Sequence, residues 1–222
     1  MRLQSAIFDM DGTLLDSMPT WRELGPTFLK EAGITATPEQ DRMLHILADC
    51  DVIPYLREVC GLPWSQQEII DQIIQRMETF YSSQVRPKPG LEKFLSILKM
   101  EGVWMYVATA THRRLTEKAL KTAGIDHYFR GIVTSADAGN HKSESADIYE
   151  MAMRRLQSNK RDTVVFEDAL YAIRTAKAAG YRTVGLYDAD GEADQEGLQT
   201  AAEIYLMTLQ DFPAAWERLN RT

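Results

Sequence analysis

Asp9 and Asp11 stand two residues apart at the end of a short, largely apolar run from Leu3 to Phe8, and Gly12 follows them. Acids at alternate positions of an extended chain project to the same side. Gly12 permits a tight turn that leaves backbone N–H groups facing outward. By itself the stretch reads equally well as an acidic turn, because Asp-Gly is a common turn dipeptide. Three later points carry comparable groups: Thr109, Lys142 and the pair Glu167-Asp168. Carboxylates gathered in one place repel one another and hold each other's protons unless a cation is bound. Oxygen ligands without histidine or cysteine suit a hard ion, and a few protein ligands completed by water and phosphate suit Mg²⁺. A magnesium ion, one lysine and one hydroxyl donor are the groups that balance charge on a transferring phosphoryl group.

The elements that would have to position these groups follow from hydrophobic spacing. Leu3 to Phe8 reads as a buried strand that ends at the two acids. Pro19 suits the first position of a helix carrying Trp21, Leu24, Phe28 and Leu29 at helical spacing, with Gly33 as the stop. Residues 39–81 keep helical clusters without any period-2 pattern, and Gly61-Leu62-Pro63 divides two of them. The stretch is too long for a loop in a compact domain, so it reads as a four-helix insert over residues 17–86. Beyond the proline-rich hinge at 86–90 the pattern alternates: helix 91–100, strand 103–108, helix 112–123, strand 131–134, helix 143–157 and strand 163–166. A further helix to Gly180, a strand at 183–186, a strand near 204–206 and a helix near 212–219 close the chain. Such alternation predicts an α/β fold, a doubly wound parallel sheet of Rossmann type built from residues 1–16 and 87–222. In such a sheet ligands sit beyond the carboxyl ends of the strands, where Asp9, Asp11, Thr109, Glu167 and Asp168 fall, while Lys142 lies in the loop just before a helix.

Composition is that of an ordinary soluble globular protein, with 45% hydrophobic and 26% charged residues. A formal net charge of −7 argues against nucleic acid or an anionic membrane as partner. Cys50 and Cys60 make neither a disulfide framework nor a zinc spacing and read as small core residues. The N-terminal residues read as the first strand, not as a leader, and no run has the length of a membrane span. The expectation is a cytoplasmic protein, monomeric, acting on a small phosphorylated molecule.

In order and spacing, the four polar segments resemble the four motifs of the haloacid dehalogenase superfamily, over nearly the whole chain. The first motif stands in full from Asp9 to Ser17, as Asp-Met-Asp-Gly-Thr-Leu-Leu-Asp-Ser. The resemblance implies that Asp9 is a nucleophile forming an aspartyl-phosphate, and that Asp11 is the acid that protonates the leaving group and then activates water. It implies a phosphate site at Thr109, Ala110 and Lys142. It also implies a Mg²⁺ site made by Asp9, Glu167, Asp168 and, through its backbone carbonyl, Asp11. The insert matches the helical cap of the subfamily that includes β-phosphoglucomutase and phosphoglycolate phosphatase, with hinges near residues 16–19 and 84–89. Asp11 favours phosphoryl transfer over dehalogenation, which needs no acid there. The chain departs from the pattern at Ser143, where a proline is usual, and at Ala169, where a serine is common, while Asp147-Ile148-Tyr149 matches.

Lesser candidates surround these. Thr111 and His112 serve either as substrate contacts or as a helix cap and a first-turn residue. Arg113 and Arg114 read as a solvated helix start. His45, Asp49 and Asp51 lie where caps of this type carry a specificity loop. Two other readings stay open: a sugar phosphate mutase that passes the phosphoryl group to a sugar instead of water, and a non-enzymatic phospho-acceptor switch. Against the mutase stands the 46–51 stretch, which is apolar and acidic and holds no arginine for a second phosphate.

Overall fold

In the computed structural model the described residues are 3–44, 47, 49–191, 193–212, 216, 217 and 219. Six parallel strands form one sheet in the order β3-β2-β1-β4-β5-β6. They are β1 (Ser5–Phe8), β2 (Trp104–Thr109), β3 (Phe129–Thr134), β4 (Thr163–Glu167), β5 (Arg182–Leu186) and β6 (Ile204–Leu206). β1 is central and buried throughout, which is why Ala6-Ile7-Phe8 run apolar without alternation after the hydrogen-bonded Ser5. On one face Phe8 stacks on Phe166 with ring centroids 4.5 Å apart, and Phe94 meets Phe212 edge-on at 4.3 Å. On the other face Ile7 and Val165 pack with Ile148, Tyr149 and Ala152.

Helices connect the strands: α5 (Leu91–Met100), α6 (Arg113–Thr122), the short α7 (Ser135–Ala138), α8 (Asp147–Arg155), α9 (Leu170–Ala178) and α10 (Gln195–Ala201). Between β1 and α5 come α1 (Met18–Glu31), α2 (Pro38–Leu44), α3 (Asp49–Glu58) and α4 (Gln66–Ser83), with no strand among their described residues. α4 opens with a reciprocal cap, Ser65 Oγ accepting from the Glu68 N–H while the Glu68 carboxylate accepts from the Ser65 N–H. The two connections of the insert run side by side. Asp16 N–H donates to the Arg86 carbonyl at 2.9 Å, and Lys88 N–H to the Leu14 carbonyl at 2.9 Å.

Element boundaries differ from the sequence reading at three places. Helix α8 begins at Asp147, not at residue 143. The Ser145 hydroxyl accepts from the Asp147 N–H and the Asp147 carboxylate accepts from Asn140, so local side-chain bonds replace the first helical turn. β3 starts at Phe129, two residues earlier than the apolar pattern indicates. The four residues of α7, closed by a Thr134/Asp137 capping box, carry too short a pattern to be seen. The terminal helix expected near 212–219 lies partly outside the described residues.

Candidate active site

Register fixes where the acids fall. Phe8 lies opposite Val107 of β2 and Phe166 of β4, and the Asp9 N–H continues the ladder to the Phe166 carbonyl at 3.0 Å. Asp9 therefore emerges level with Glu167 and with Ala108, one residue short of Thr109, at the carboxyl edge of three adjacent strands. The chain then turns through Gly12 at φ +80°, where a Cβ would stand 2.2 Å from Asp168 Oδ2. Only glycine satisfies both the left-handed backbone and that approach. Thr13 in the same turn donates its hydroxyl to Asp168 at 2.8 Å.

Lys142, 3% exposed, projects between two carboxylates, donating to Asp9 and, at 2.7 Å, to Glu167. Tyr149 of α8 donates to the same Glu167 oxygen at 2.7 Å. Ligand atoms of Asp9, Glu167 and Asp168 all lie within 4.8 Å of one another, and all three residues are buried. Burial drives the Asp9 carboxyl well above the usual carboxylate range; Lys142 opposes that shift, and Glu167, Asp168 and Asp11 add to it. Burial likewise raises Asp168, with Glu167 and Asp188 adding and Thr13 and Lys88 opposing. For Lys142, burial alone would lower the pKa, but Asp9 and Glu167 outweigh it and hold the ammonium charged. Once deprotonated, three carboxylates facing one ammonium leave an excess of two negative charges, the charge of one divalent cation. An all-oxygen donor set with that deficit fits Mg²⁺.

Asp11 is held differently. Its side chain accepts hydroxyl hydrogens from Ser17 (2.6 Å), Tyr81 (2.6 Å) and Thr111 (2.7 Å) and stands apart from the acidic cluster. Ser17 occupies the N-cap position of α1 yet makes no cap bond, because its hydroxyl is turned to Asp11. Tyr81, from the far end of α4, accepts in turn from Trp21 Nε1 of α1 at 3.0 Å. The insert therefore touches the acid from two helices.

Asp9, Asp11, Thr109, Ala110, Thr111, Lys142, Glu167 and Asp168 share the lining of one cavity of about 190 Å³ between the sheet edge and the insert. Thr109 Oγ1 accepts from the Thr111 N–H at 3.1 Å, which fixes that loop. His112 is not brought in: it is exposed and caps α6, its ring accepting from the Arg114 N–H. His45 lies outside the described residues, and Asp49 starts α3 with its side chain undescribed. Arg113 and Arg114 form an exposed helix start, as expected, and also pair with Asp137 and with Glu78 of α4 respectively, each at 2.6 Å.

Sequence reasoning missed five contributors. Tyr81 and Trp21 read as ordinary core aromatics at helical spacing. Lys88 sits in the hinge and pairs with the buried Asp188 beyond β5. Arg22 of α1 donates to the carbonyls of Asp190 and Gly191 in the same loop. An acid two positions after a strand was the signal available for Asp188.

The family model described as Haloacid dehalogenase-like hydrolase matches residues 6–186. A "Phosphorylated carbohydrates phosphatase" of Thermotoga maritima is 25% identical over 182 residues, 82% of this chain and 84% of that protein. A fructose-1-phosphate phosphatase of Escherichia coli (strain K12) is 26% identical over 82% of this chain and 96% of its own. Among solved structures, CbbY from Rhodobacter sphaeroides in complex with phosphate superposes with a TM-score of 0.79 at 22% identity, covering 95% of this chain and 96% of that one. A β-phosphoglucomutase from Clostridium difficile superposes with a TM-score of 0.76 at 18% identity, covering 99% and 98%.

Proposed function

Because the chain belongs to the haloacid dehalogenase-like hydrolases, we propose that it is a Mg²⁺-dependent phosphatase of small phosphorylated metabolites, acting through an aspartyl-phosphate. The observation that carries this reading is the division of labour between two acids. Asp9 lies among Lys142, Glu167 and Asp168, whereas Asp11 is turned to three neutral hydroxyls. Relatives named as phosphatases of phosphorylated carbohydrates and of fructose-1-phosphate support it.

In this reading an Asp9 carboxylate oxygen attacks phosphorus, and Asp11 gives its proton to the departing alcohol oxygen. Asp11 then accepts a proton from water as that water attacks the aspartyl-phosphate, which returns Asp9. Lys142 holds Asp9 and the phosphoryl oxygens together, and Thr109 and Ala110 line the phosphate's place. Asp9, Glu167, Asp168 and the Asp11 carbonyl would hold Mg²⁺, which offsets charge on the transferring group. We read residues 17–86 as a cap that closes over the site and excludes water, hinged at 16–19 and 84–89. A mutase would need a second phosphate-binding cation; Arg22, the cation that the insert brings to the cavity, is engaged by the Asp190 and Gly191 carbonyls. Among the described residues no helix is long and apolar enough to cross a membrane.

The test is Mg²⁺-dependent release of phosphate from p-nitrophenyl phosphate and a panel of phosphomonoesters, run beside a glucose-1-phosphate isomerisation assay. Absence of turnover by a folded, Mg²⁺-loaded protein refutes the proposal, and isomerisation outrunning hydrolysis replaces it with the mutase.

Two further outcomes are expected. Tyr81→Phe keeps the ring but removes one donor to Asp11, and leaving a part-buried acceptor without a partner costs about 1–3 kcal/mol. Turnover should fall about ten- to hundredfold, in kcat more than in KM, in steady-state assays. The second concerns pH. Asp9 and Asp168 have folded-state pKa values raised above their unfolded ones, so the metal-free fold binds more protons than the unfolded chain. Its stability therefore falls as pH rises from about 3.9 through the raised values. Melting curves in chelator should show a Tm that drops from pH 4 towards 7, and the increase caused by Mg²⁺ should grow over the same range. A Mg²⁺ increment independent of pH would contradict this assignment.

A further inference from the structure

The cavity has two chemically different ends. Its floor on the sheet is ionic and hydroxylic. Its roof in the insert is formed by Met18 and Trp21 of α1, Leu47 just before α3, Val52 and Ile53 of α3, and Ile73 of α4, all half-buried. The remaining described insert residues on the lining are apolar too, apart from Arg22. The Arg22 guanidinium donates to the carbonyls of Asp190 and Gly191, and the Trp21 Nε1–H donates to Tyr81. The insert's described lining thus brings no carboxylate, amide or hydroxyl to the space above the phosphoryl position.

We infer that the alcohol released at this site is apolar: the preferred substrates are short alkyl or single-ring phosphomonoesters, not phosphorylated polyols. The inference rests on the phosphatase reading and sharpens it to a substrate class. A hydroxyl carried into such a roof leaves water without gaining a partner, whereas a methylene gains by the same transfer. Size agrees: an engineered cavity of about 150 Å³ lined by Leu, Ile and Phe stays dry and takes up benzene. The cavity here, about 190 Å³, must hold the phosphoryl group as well. One ring or a few methylenes is therefore the limit.

The experiment compares n-propyl phosphate with sn-glycerol 3-phosphate, which share a carbon skeleton and differ by two hydroxyls, and then extends the alkyl series to butyl and pentyl. The expected result is a kcat/KM for the propyl ester about tenfold or more above that for the glycerol ester. It should rise about fourfold for each added methylene until the cavity is full. Val52→Thr places a hydroxyl in the roof at nearly constant shape and should flatten the series while improving glycerol 3-phosphate. Glycerol 3-phosphate or glucose 6-phosphate outrunning the propyl ester, or a flat series in the unaltered protein, overturns the inference and leaves the phosphatase reading standing. Failure to hydrolyse any ester, p-nitrophenyl phosphate included, overturns both. If Val52→Thr does not fold, the series measured on the unaltered protein decides alone.

Discussion

Replacing Asp9 by Asn is expected to remove turnover of p-nitrophenyl phosphate by about four orders of magnitude or more, with no loss of folding stability. The size follows from the role: a nucleophile deleted from a covalent mechanism leaves only binding and electrostatic assistance behind. The stability side follows from the surroundings. Asp9 is 6% exposed and crowded by Glu167 and Asp168, and its raised pKa records that the fold holds its charge at a cost. A neutral amide of the same shape removes one repelling charge, and Lys142 keeps Glu167 as partner. In chelator at pH 7 the variant should melt at or above the parent, while the Mg²⁺-induced rise in Tm shrinks because one ligand is gone. Turnover within tenfold of the parent would show that Asp9 is a structural or ligand acid only.

Lys142→Met should behave in the opposite sense. Activity falls about a hundred- to a thousandfold, because the preorganised cation beside the phosphoryl group is lost. Here the metal-free protein is also destabilised. Removing one partner from a buried ion pair leaves uncompensated charge and typically costs about 3–5 kcal/mol. At about 2–4 °C per kcal/mol for a chain of this size, the Tm should fall by roughly 6–20 °C. Mg²⁺ should restore part of that loss by supplying the missing positive charge. The sign across pH is fixed too. A lysine pKa raised in the folded state contributes fully below the unfolded value of about 10.4 and is lost only as pH climbs through the folded one. Between pH 6 and 9 the lysine's own contribution is therefore flat. Lys142→Arg is a poor rescue, since a planar guanidinium cannot point one compact ammonium at both Asp9 and Glu167.

Asp9 was legible in the sequence because strand ends are; Lys142, in the loop between α7 and α8, was legible only through the resemblance to the family's third motif. β1 runs buried up to Phe8 and stops at Asp9, and β4 does the same before Asp168. In a parallel sheet such ends must meet at one edge, so reading the strands already gathers the acids. Tyr81 obeys no such rule. It lies on α4 at helical spacing from Met77, both fully buried, and nothing in that periodicity distinguishes a side chain packed inside the insert from one reaching down to Asp11. Asp188 was missed for a related reason: its partner Lys88 lies 100 residues earlier in the chain. Periodicity reports which face is apolar; it does not report which polar atom a buried tip will find. The start of α8 shows the same limit at short range, where Ser145 and Asn140 capture Asp147 and shorten the helix.

The central place of β1 in the strand order has a consequence for how the protein is made. The strand that presents Asp9 is complete early, but its neighbours begin at residue 104 on one side and residue 163 on the other. At a synthesis rate of about 5–20 residues per second, the nascent strand waits on the order of 10–30 s for its second partner. Every pairing it makes is distant in sequence, the kind that forms slowly. What emerges in the interval is the helical insert, whose contacts α1·α2, α1·α3 and α3·α4 are internal, while the larger packing of α4 on α6 waits for residues 113–122. The unit that carries Tyr81 can thus take shape on the ribosome well before the edge that will hold its carboxylate partner exists.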